Sequence, residues 1–208
     1  MLQFVTAPSS RFSVAELVRM AIKGGCRWIE LSHNGLDNEV DMAKIAKEII
    51  PECREGEAFL IIDDDVELVE ELKVHGVMMH DCGRMSVAAA RERLGAEAVI
   101  GVEVKSVEDA KALGGLDLDY LLVPAPAYGA DIVAFYASMV DALNDADICF
   151  HVVASGDVPT ESYEALLKAG VAGVAVSDAI TEAENPEAAT AVICDLLAEA
   201  RRVAHESI

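Results

Sequence analysis

Ionisable and hydroxyl residues in this sequence recur where short apolar runs end. Glu30-Leu31-Ser32-His33 closes one run, Asp63-Asp64-Asp65 a second and Met79-His80-Asp81-Cys82 a third. A fourth runs through Glu103 to Lys105, a later one ends in Ala154-Ser155-Gly156-Asp157, and the last in Val176-Ser177-Asp178. Each group has its own chemistry. Neighbouring carboxylates suit Mg2+, a hard cation that takes oxygen ligands and keeps its waters. Asp65 reads as the cap of the helix that follows, which leaves Asp64 as the metal candidate or, alternatively, as a solvated carboxylate. His80, Asp81 and Cys82, with His33 and Glu30, have the donor types of a zinc or other transition-metal site, although their spacing matches no zinc signature. Lys105 can pair with a phosphate or act as a base if its pKa is lowered. The alternative for it is an ion pair with Glu103. Ser155-Gly156 and Ser177 supply small turns whose backbone amides can approach an anion. The same residues also satisfy the geometry of ordinary strand-to-helix turns.

These groups are useful together only if the fold gathers them. The apolar runs at residues 3–6, 28–32, 59–63, 76–80, 99–104, 120–123, 149–153 and 173–176 are mostly continuous rather than alternating, as in parallel strands buried on both faces. Helical stretches separate them, with a period near 25 residues. Ser13-Val14-Ala15-Glu16 is a capping box, and Gly24-Gly25 stops the helix it opens. Residues 41–52 carry Met42, Ile45, Ala46, Ile49 and Ile50 on one face. Asp65 caps residues 66–74, Ser86 a helix ending before Gly95, and Ser106 one ending at Gly114-Gly115. Residues 132–143 form the sixth helix, Pro159-Thr160-Glu161 begins the seventh, and residues 186–204 are the last.

Eight strands alternating with eight helices imply right-handed parallel crossovers, and the count favours a single α/β (βα)8 TIM barrel over residues 1–208. In that fold sites lie at the carboxyl ends of the strands, and phosphate commonly binds after strands seven and eight. Glu30, Ser32, His33, Asp63, His80, Glu103 and Lys105 then share a rim with the Ser155-Gly156 and Val176-Ser177 turns. His75 follows a helix and belongs to the opposite face, and His151, inside a strand run, reads as a core histidine.

Composition excludes several partners. The chain has 208 residues, with 16 Lys+Arg against 37 Asp+Glu and a net charge of −21, a field that repels nucleic acid and anionic lipid. Any phosphate must therefore be held by local groups such as amides, a lysine or a metal ion. The apolar runs of four to seven residues are far short of the ~20 of a membrane span. The five cysteines (Cys26, Cys53, Cys82, Cys149 and Cys194) form no CxxC pair. They read as reduced thiols in a cytoplasmic protein. The first residues, Met1-Leu2-Gln3-Phe4-Val5-Thr6, lack the basic start of a signal peptide.

Several stretches are similar to a known family. Gly25-Cys26-Arg27-Trp28-Ile29-Glu30-Leu31, Leu60-Ile61-Ile62-Asp63-Asp64, Gly76-Val77, Ile100-Gly101-Val102-Glu103-Val104-Lys105-Ser106, Asp119-Tyr120 and Ala169-Gly170-Val171-Ala172-Gly173-Val174-Ala175-Val176 occur in its order and spacing. The chain resembles the thiamine phosphate synthase and thiazole tautomerase (TenI) barrels from first strand to last helix. The resemblance implies one of two reactions. The synthase joins hydroxymethylpyrimidine diphosphate to thiazole phosphate with Mg2+ and releases diphosphate. The tautomerase shifts a proton on a thiazole carboxylate phosphate. Both hold the thiazole phosphate at positions that here are Ser155, Gly156, Val176 and Ser177.

The departures are specific. The Gln-Leu-Arg-x-Lys of strand two reads Glu30-Leu31-Ser32-His33-Asn34, so both basic groups are missing. Asp64 retains one Mg2+ carboxylate, while the second falls on Gly83 with Asp81 close by. Ser-x-His at strand five reads Glu103-Val104-Lys105, and Pro124-Ala125-Pro126-Ala127-Tyr128-Gly129 replaces a Thr-x-x-Lys segment. The site has gained carboxylates and lost cations, which opposes a diphosphate by several kcal/mol unless a metal intervenes. Three expectations follow. One is a synthase with Asp64 and Asp81 on Mg2+. Another is a proton-transfer enzyme with Lys105 as base and Glu30 or Glu103 assisting. The third is a non-catalytic binder of a small phosphorylated heterocycle. Monomer and homo-oligomer both stay open.

Overall fold

Burying both faces of a parallel strand requires neighbours on either edge and helices outside, and the chain meets this by closing its sheet. The computed structural model describes residues 1–33, 42–80, 84–126 and 131–206. Among them the elements are β1 (Leu2–Val5), α1 (Val14–Lys23), β2 (Trp28–Leu31), α2 (Met42–Glu55), β3 (Phe59–Asp63), α3 (Val66–Leu72), β4 (Gly76–Met79), α4 (Arg84–Leu94), β5 (Val99–Glu103), α5 (Val107–Ala112), β6 (Tyr120–Pro124) and α6 (Ile132–Asp145). The chain continues through β7 (His151–Ser155), a 3-10 turn (Thr160–Ser162), α7 (Tyr163–Lys168), β8 (Gly173–Val176), α8 (Asp178–Thr181) and α9 (Pro186–Glu206). The strands form a closed parallel barrel in sequence order, with β1 paired to β8 through Gln3↔Ala175.

Two apolar layers hold it. The larger lies between strands and helices and includes Phe4, Leu17, Ile29, Ile49, Leu60, Ile62, Ile100, Leu121 and Tyr136. The smaller fills the barrel interior with Ile61, Met78, Tyr120, Leu122, Val153 and Ala175. Strand side chains alternate, so residues two positions beyond the interior set also point inward. That phase carries Glu30 after Trp28, Asp63 after Ile61, His80 after Met78, Glu103 after Gly101, Ser155 after Val153 and Ser177 after Ala175. Asp64 and Val176 fall on the other phase.

Local signals account for the helix starts. Ser13 Oγ accepts the Glu16 N–H while Glu16 accepts the Ser13 N–H, the reciprocal bonds of a capping box. Asp65 Oδ1 accepts the Leu68 N–H at 2.8 Å. Ser106 caps α5 through Asp109 N. Three expectations change. Helix α4 begins at Arg84, two residues before Ser86, which is therefore an interior position. Strand β7 begins at His151 rather than at 149, because its first partner, Tyr120, is also where β6 starts. Cys149 and His151 are consequently exposed at the amino-terminal rim, and His151 is not a core histidine. The short α8 has no counterpart in the apolar periodicity. His75 lies on the opposite face as expected, with Nδ1 accepting the Leu60 N–H. The four described cysteines are free thiols. Among the described residues no helix is long and apolar enough to cross a membrane.

Gly101 makes room inside the barrel, because a methyl there would overlap the Tyr120 ring and crowd Met78 Cε. Gly101→Ala should lower the unfolding free energy by about 1–3 kcal/mol, the usual cost of overpacking a filled core. Urea unfolding checks this as a lowered midpoint with unchanged slope.

Candidate active site at the strand ends

Closure of the barrel brings the ends of β2, β3, β4 and β5 together, and with them four ionisable side chains. Glu30 is fully buried and Asp63 is 2% exposed. His80 Nε2 lies 3.3 Å from Asp63 Oδ2 and 3.8 Å from Glu30 Oε1, and its Nδ1 is 3.1 Å from Glu103 Oε2. Gln3, an inward residue of β1, donates its amide to Glu30 Oε2 and also to the Tyr120 hydroxyl at 3.2 Å. The outer atoms of the cluster are thus engaged. The inner ones, Glu30 Oε1, both Asp63 oxygens and His80 Nε2, are buried and make no well-aligned hydrogen bond. One ligand atom from each of Glu30, Asp63 and His80 lies within 4.8 Å of the others, a convergence of acidic and imidazole groups of the kind that holds metal ions.

The electrostatics follow from this crowding. The Asp63 carboxylate beside its ring holds the His80 pKa up at about 9, with Glu30 and Glu103 reinforcing it and burial opposing it. Burial pushes Glu30 well above the usual carboxylate range, and the charge of Asp63 adds to that, while His80 and Gln3 pull the other way. Tyr120 is raised well above a normal phenol, chiefly by burial and then by Glu30.

A cavity of about 540 Å³ opens above the cluster. Glu30, His80 and Glu103 line it from β2, β4 and β5; Ser155, Gly156, Asp157, Thr160 and Tyr163 line it from β7 onward; Val176, Ser177, Asp178 and Ala179 line it from β8 onward. Gly156 has φ +85°, a conformation that favours glycine, and its carbonyl accepts the Val158 N–H in a tight turn. Ser177 precedes α8 but makes no side-chain cap, so its hydroxyl is not spent on the helix. The amides that open a helix lack intrahelical partners, and those of α8 sit at this wall.

The sequence-predicted residues divide into two sets. Glu30, His80, Glu103, Ser155, Gly156, Val176 and Ser177 line one cavity. Asp63 sits in the cluster beneath it. Ser32 is buried, with its N–H bonded to Thr6 Oγ1, and does not line the cavity. His33 is half exposed, with Nδ1 3.8 Å from Asp63. Lys105 is 76% exposed, 3.5 Å from Glu103 Oε1, and also outside the lining. The ion pair weighed for it is therefore present. Asp64 is exposed, and its Oδ1 accepts the His80 N–H. Asp81 lies outside the described residues. Gln3 and Tyr120 were missed. The available signal for Gln3 was a lone amide inside the apolar run Leu2-Gln3-Phe4-Val5.

Comparison with known proteins follows the same lines. The family described as thiamine monophosphate synthase matches residues 2–180. The thiamine-phosphate synthase of Bacteroides fragilis is 35% identical over 196 residues, covering 89% of this chain and 94% of its own. That of Bacteroides thetaiotaomicron is 32% identical over 206 residues, covering 94% and 96%. The solved thiamine phosphate pyrophosphorylase from Pyrococcus furiosus superposes with a TM-score of 0.78 at 24% identity over 96% of each chain, a likeness of fold.

The His80 shift has a pH consequence. Its folded pKa of about 9 exceeds the ordinary 6.5, so the stabilisation is complete below about pH 6.5 and is lost as pH rises through 9. In chelator-treated protein the urea midpoint should fall between pH 6.5 and 9.5, and the fall should be smaller in His80→Gln at matched pH.

Proposed function

The chain belongs to the thiamine monophosphate synthase family, and from that membership we propose that it forms thiamine phosphate from hydroxymethylpyrimidine diphosphate and thiazole phosphate. One observation carries the reading beyond membership: a single cavity joins the turns after β7 and β8 to the carboxylate-rich ends of β2, β4 and β5. Phosphate binding after strands seven and eight is common in barrels of this kind. In this reading Ser155, Gly156, Val176 and Ser177 take the thiazole phosphate. The thiazole ring then extends toward Glu30, His80 and Glu103.

The bond changes suit that arrangement. The C–O bond from the pyrimidine methylene to diphosphate breaks, and diphosphate leaves with the electron pair. The thiazole nitrogen supplies the pair for the new C–N bond. Positive charge develops at the methylene and then on the thiazolium, and preorganised carboxylates in a water-poor site stabilise such charge. Glu103, at the cavity wall, is placed for this. His33 sits further out on the same rim, where it meets the pyrimidine partner, while Ser32 is buried behind it.

Mg2+ is the ion the family implies for the diphosphate. Of the two carboxylates expected on it, Asp64 is exposed with one oxygen bonded to the His80 amide, and Asp81 is outside the described residues. Asp64 is thus the one expected carboxylate among the described residues, and no step is assigned to that ion.

A second reading, proton transfer on a thiazole carboxylate phosphate, keeps Glu30 and Glu103 at the cavity wall with His80, whose raised pKa makes it a proton donor, but Lys105, the base expected for it, stays outside the lining. Calorimetry with thiazole phosphate, the aminopyrimidine diphosphate and thiamine phosphate, alongside an assay for thiamine phosphate, separates the readings. Turnover supports the synthase. Monophosphate binding without turnover supports proton transfer or a binder without catalysis. No binding of any of the three overturns the assignment. Ser177→Glu, which places a like charge against the phosphate, should raise the KM for thiazole phosphate by roughly tenfold or more, with kcat much less affected.

A further inference from the structure

We propose that Glu30, Asp63 and His80 form a site for one divalent transition-metal ion of the Zn2+, Mn2+ or Co2+ kind, at a position separate from Asp64. The proposal rests on the geometry of the cluster and not on the synthase reading.

Three features of the cluster point inward to one spot. First, one ligand atom from each of the three side chains falls within 4.8 Å of the other two, a spacing that one ion can bridge. Second, the atoms facing away from that spot are already bonded. Gln3 donates to Glu30 Oε2, and Glu103 Oε2 lies 3.1 Å from His80 Nδ1. A carboxylate behind the far ring nitrogen is the arrangement that fixes a metal-binding histidine in the correct tautomer. Third, the atoms facing the spot are under-satisfied. Glu30 Oε1 and both oxygens of Asp63 make no well-aligned hydrogen bond, in side chains that are 1% and 0% exposed, and the single imidazole of His80, 3.8 and 3.3 Å away, is among the described residues the one cation-forming group between the two carboxylates. Two buried carboxylates sharing one such partner are costly, and a divalent cation answers both at once.

The donor set selects the ion. Mg2+ favours all-oxygen octahedra with retained waters. One imidazole nitrogen with two carboxylates suits zinc and its neighbours in the first transition row. Three protein ligands leave a coordination position free. Glu30 and His80 both line the cavity, so that position opens towards whatever ligand the cavity holds. The class of group it would take is water or an electron-rich heteroatom of that ligand.

Calorimetry on chelator-treated full-length protein with ZnCl2, MnCl2 and MgCl2 tests this directly, with a Co2+ absorption spectrum as a readout independent of activity. The expected result is one Zn2+ per chain, bound at about 100-fold or more tighter than Mg2+, with Co2+ bands indicating mixed nitrogen and oxygen ligation. Glu30→Gln and Asp63→Asn should each weaken Zn2+ by at least about tenfold, and Glu103→Gln, which meets the cluster at the back of His80, by roughly 10- to 100-fold. Glu30→Gln removes a buried carboxylate and should keep the metal-free thermal midpoint, whereas Asp63→Asn also removes the partner of His80 and should lower it. If either variant fails to fold, the Glu103→Gln result and the wild-type Co2+ spectrum still decide. Because the surface is strongly acidic, Glu67→Gln on α3 serves as a control and should leave Zn2+ binding unchanged. Absence of saturable one-to-one binding overturns the site, as does binding undiminished by Glu30→Gln with Asp63→Asn. Loss of thiamine phosphate formation with metal binding intact would instead count against the synthase reading alone.

Discussion

Pairing of β1 with β8 closes the sheet, and closure fixes the direction of every side chain on eight strands. An open sheet would present one face to each helical layer. A closed one turns alternate residues into a confined interior, and at the carboxyl ends that interior opens upward. The lower positions are filled by Trp28, Ile61, Met78, Tyr120 and Val153. The next inward position on successive strands is where Glu30, Asp63, His80 and Glu103 meet. Their convergence is thus a consequence of strand phase and closure, and it needs no special loop.

That convergence sets the electrostatics of the site. Two carboxylates without exposure and a third nearby are tolerated because His80 stands among them and Gln3 reaches across from β1. Removing either support leaves a buried charge less well answered, which is far more costly than the loss of an exposed ion pair. The surface pairs, such as Arg19 with Glu52 and Arg93 with Glu67 and Glu70, act only locally.

The cavity above the cluster has two chemically different ends. At β7 and β8 the wall is made of small residues and turns, with Asp157 and Asp178 beside them, and this is the end where the proposed phosphate would sit. At β2 to β5 the wall is acidic with one imidazole. A ligand that is anionic at one end and cationic or metal-coordinating at the other matches that polarity. An all-anionic ligand such as a diphosphate meets the acidic wall unfavourably unless a cation intervenes.

The sequence by itself determined the architecture, because continuous apolar runs spaced by capped amphipathic helices have few ways to bury themselves other than a parallel barrel. It also placed Glu30, His80, Glu103, Ser155, Gly156 and Ser177 at strand ends, and the Ser13 and Asp65 caps are local enough to read directly. What it left open was phase and depth. Asp63 and Asp64 are adjacent in the chain, but β3 ends at Asp63, which points into the cluster, while Asp64 turns away at φ +50° and meets the His80 amide at the rim. Lys105 shares the phase of Glu103 yet lies beyond the last ladder bond of β5, so it is exposed rather than gathered in. Gln3 joins the site because β1 stands beside β2 and the closed interior lets its amide reach Tyr120 on β6. Such placements depend on contacts between residues tens to more than a hundred positions apart, and those distances come into being only when the barrel closes.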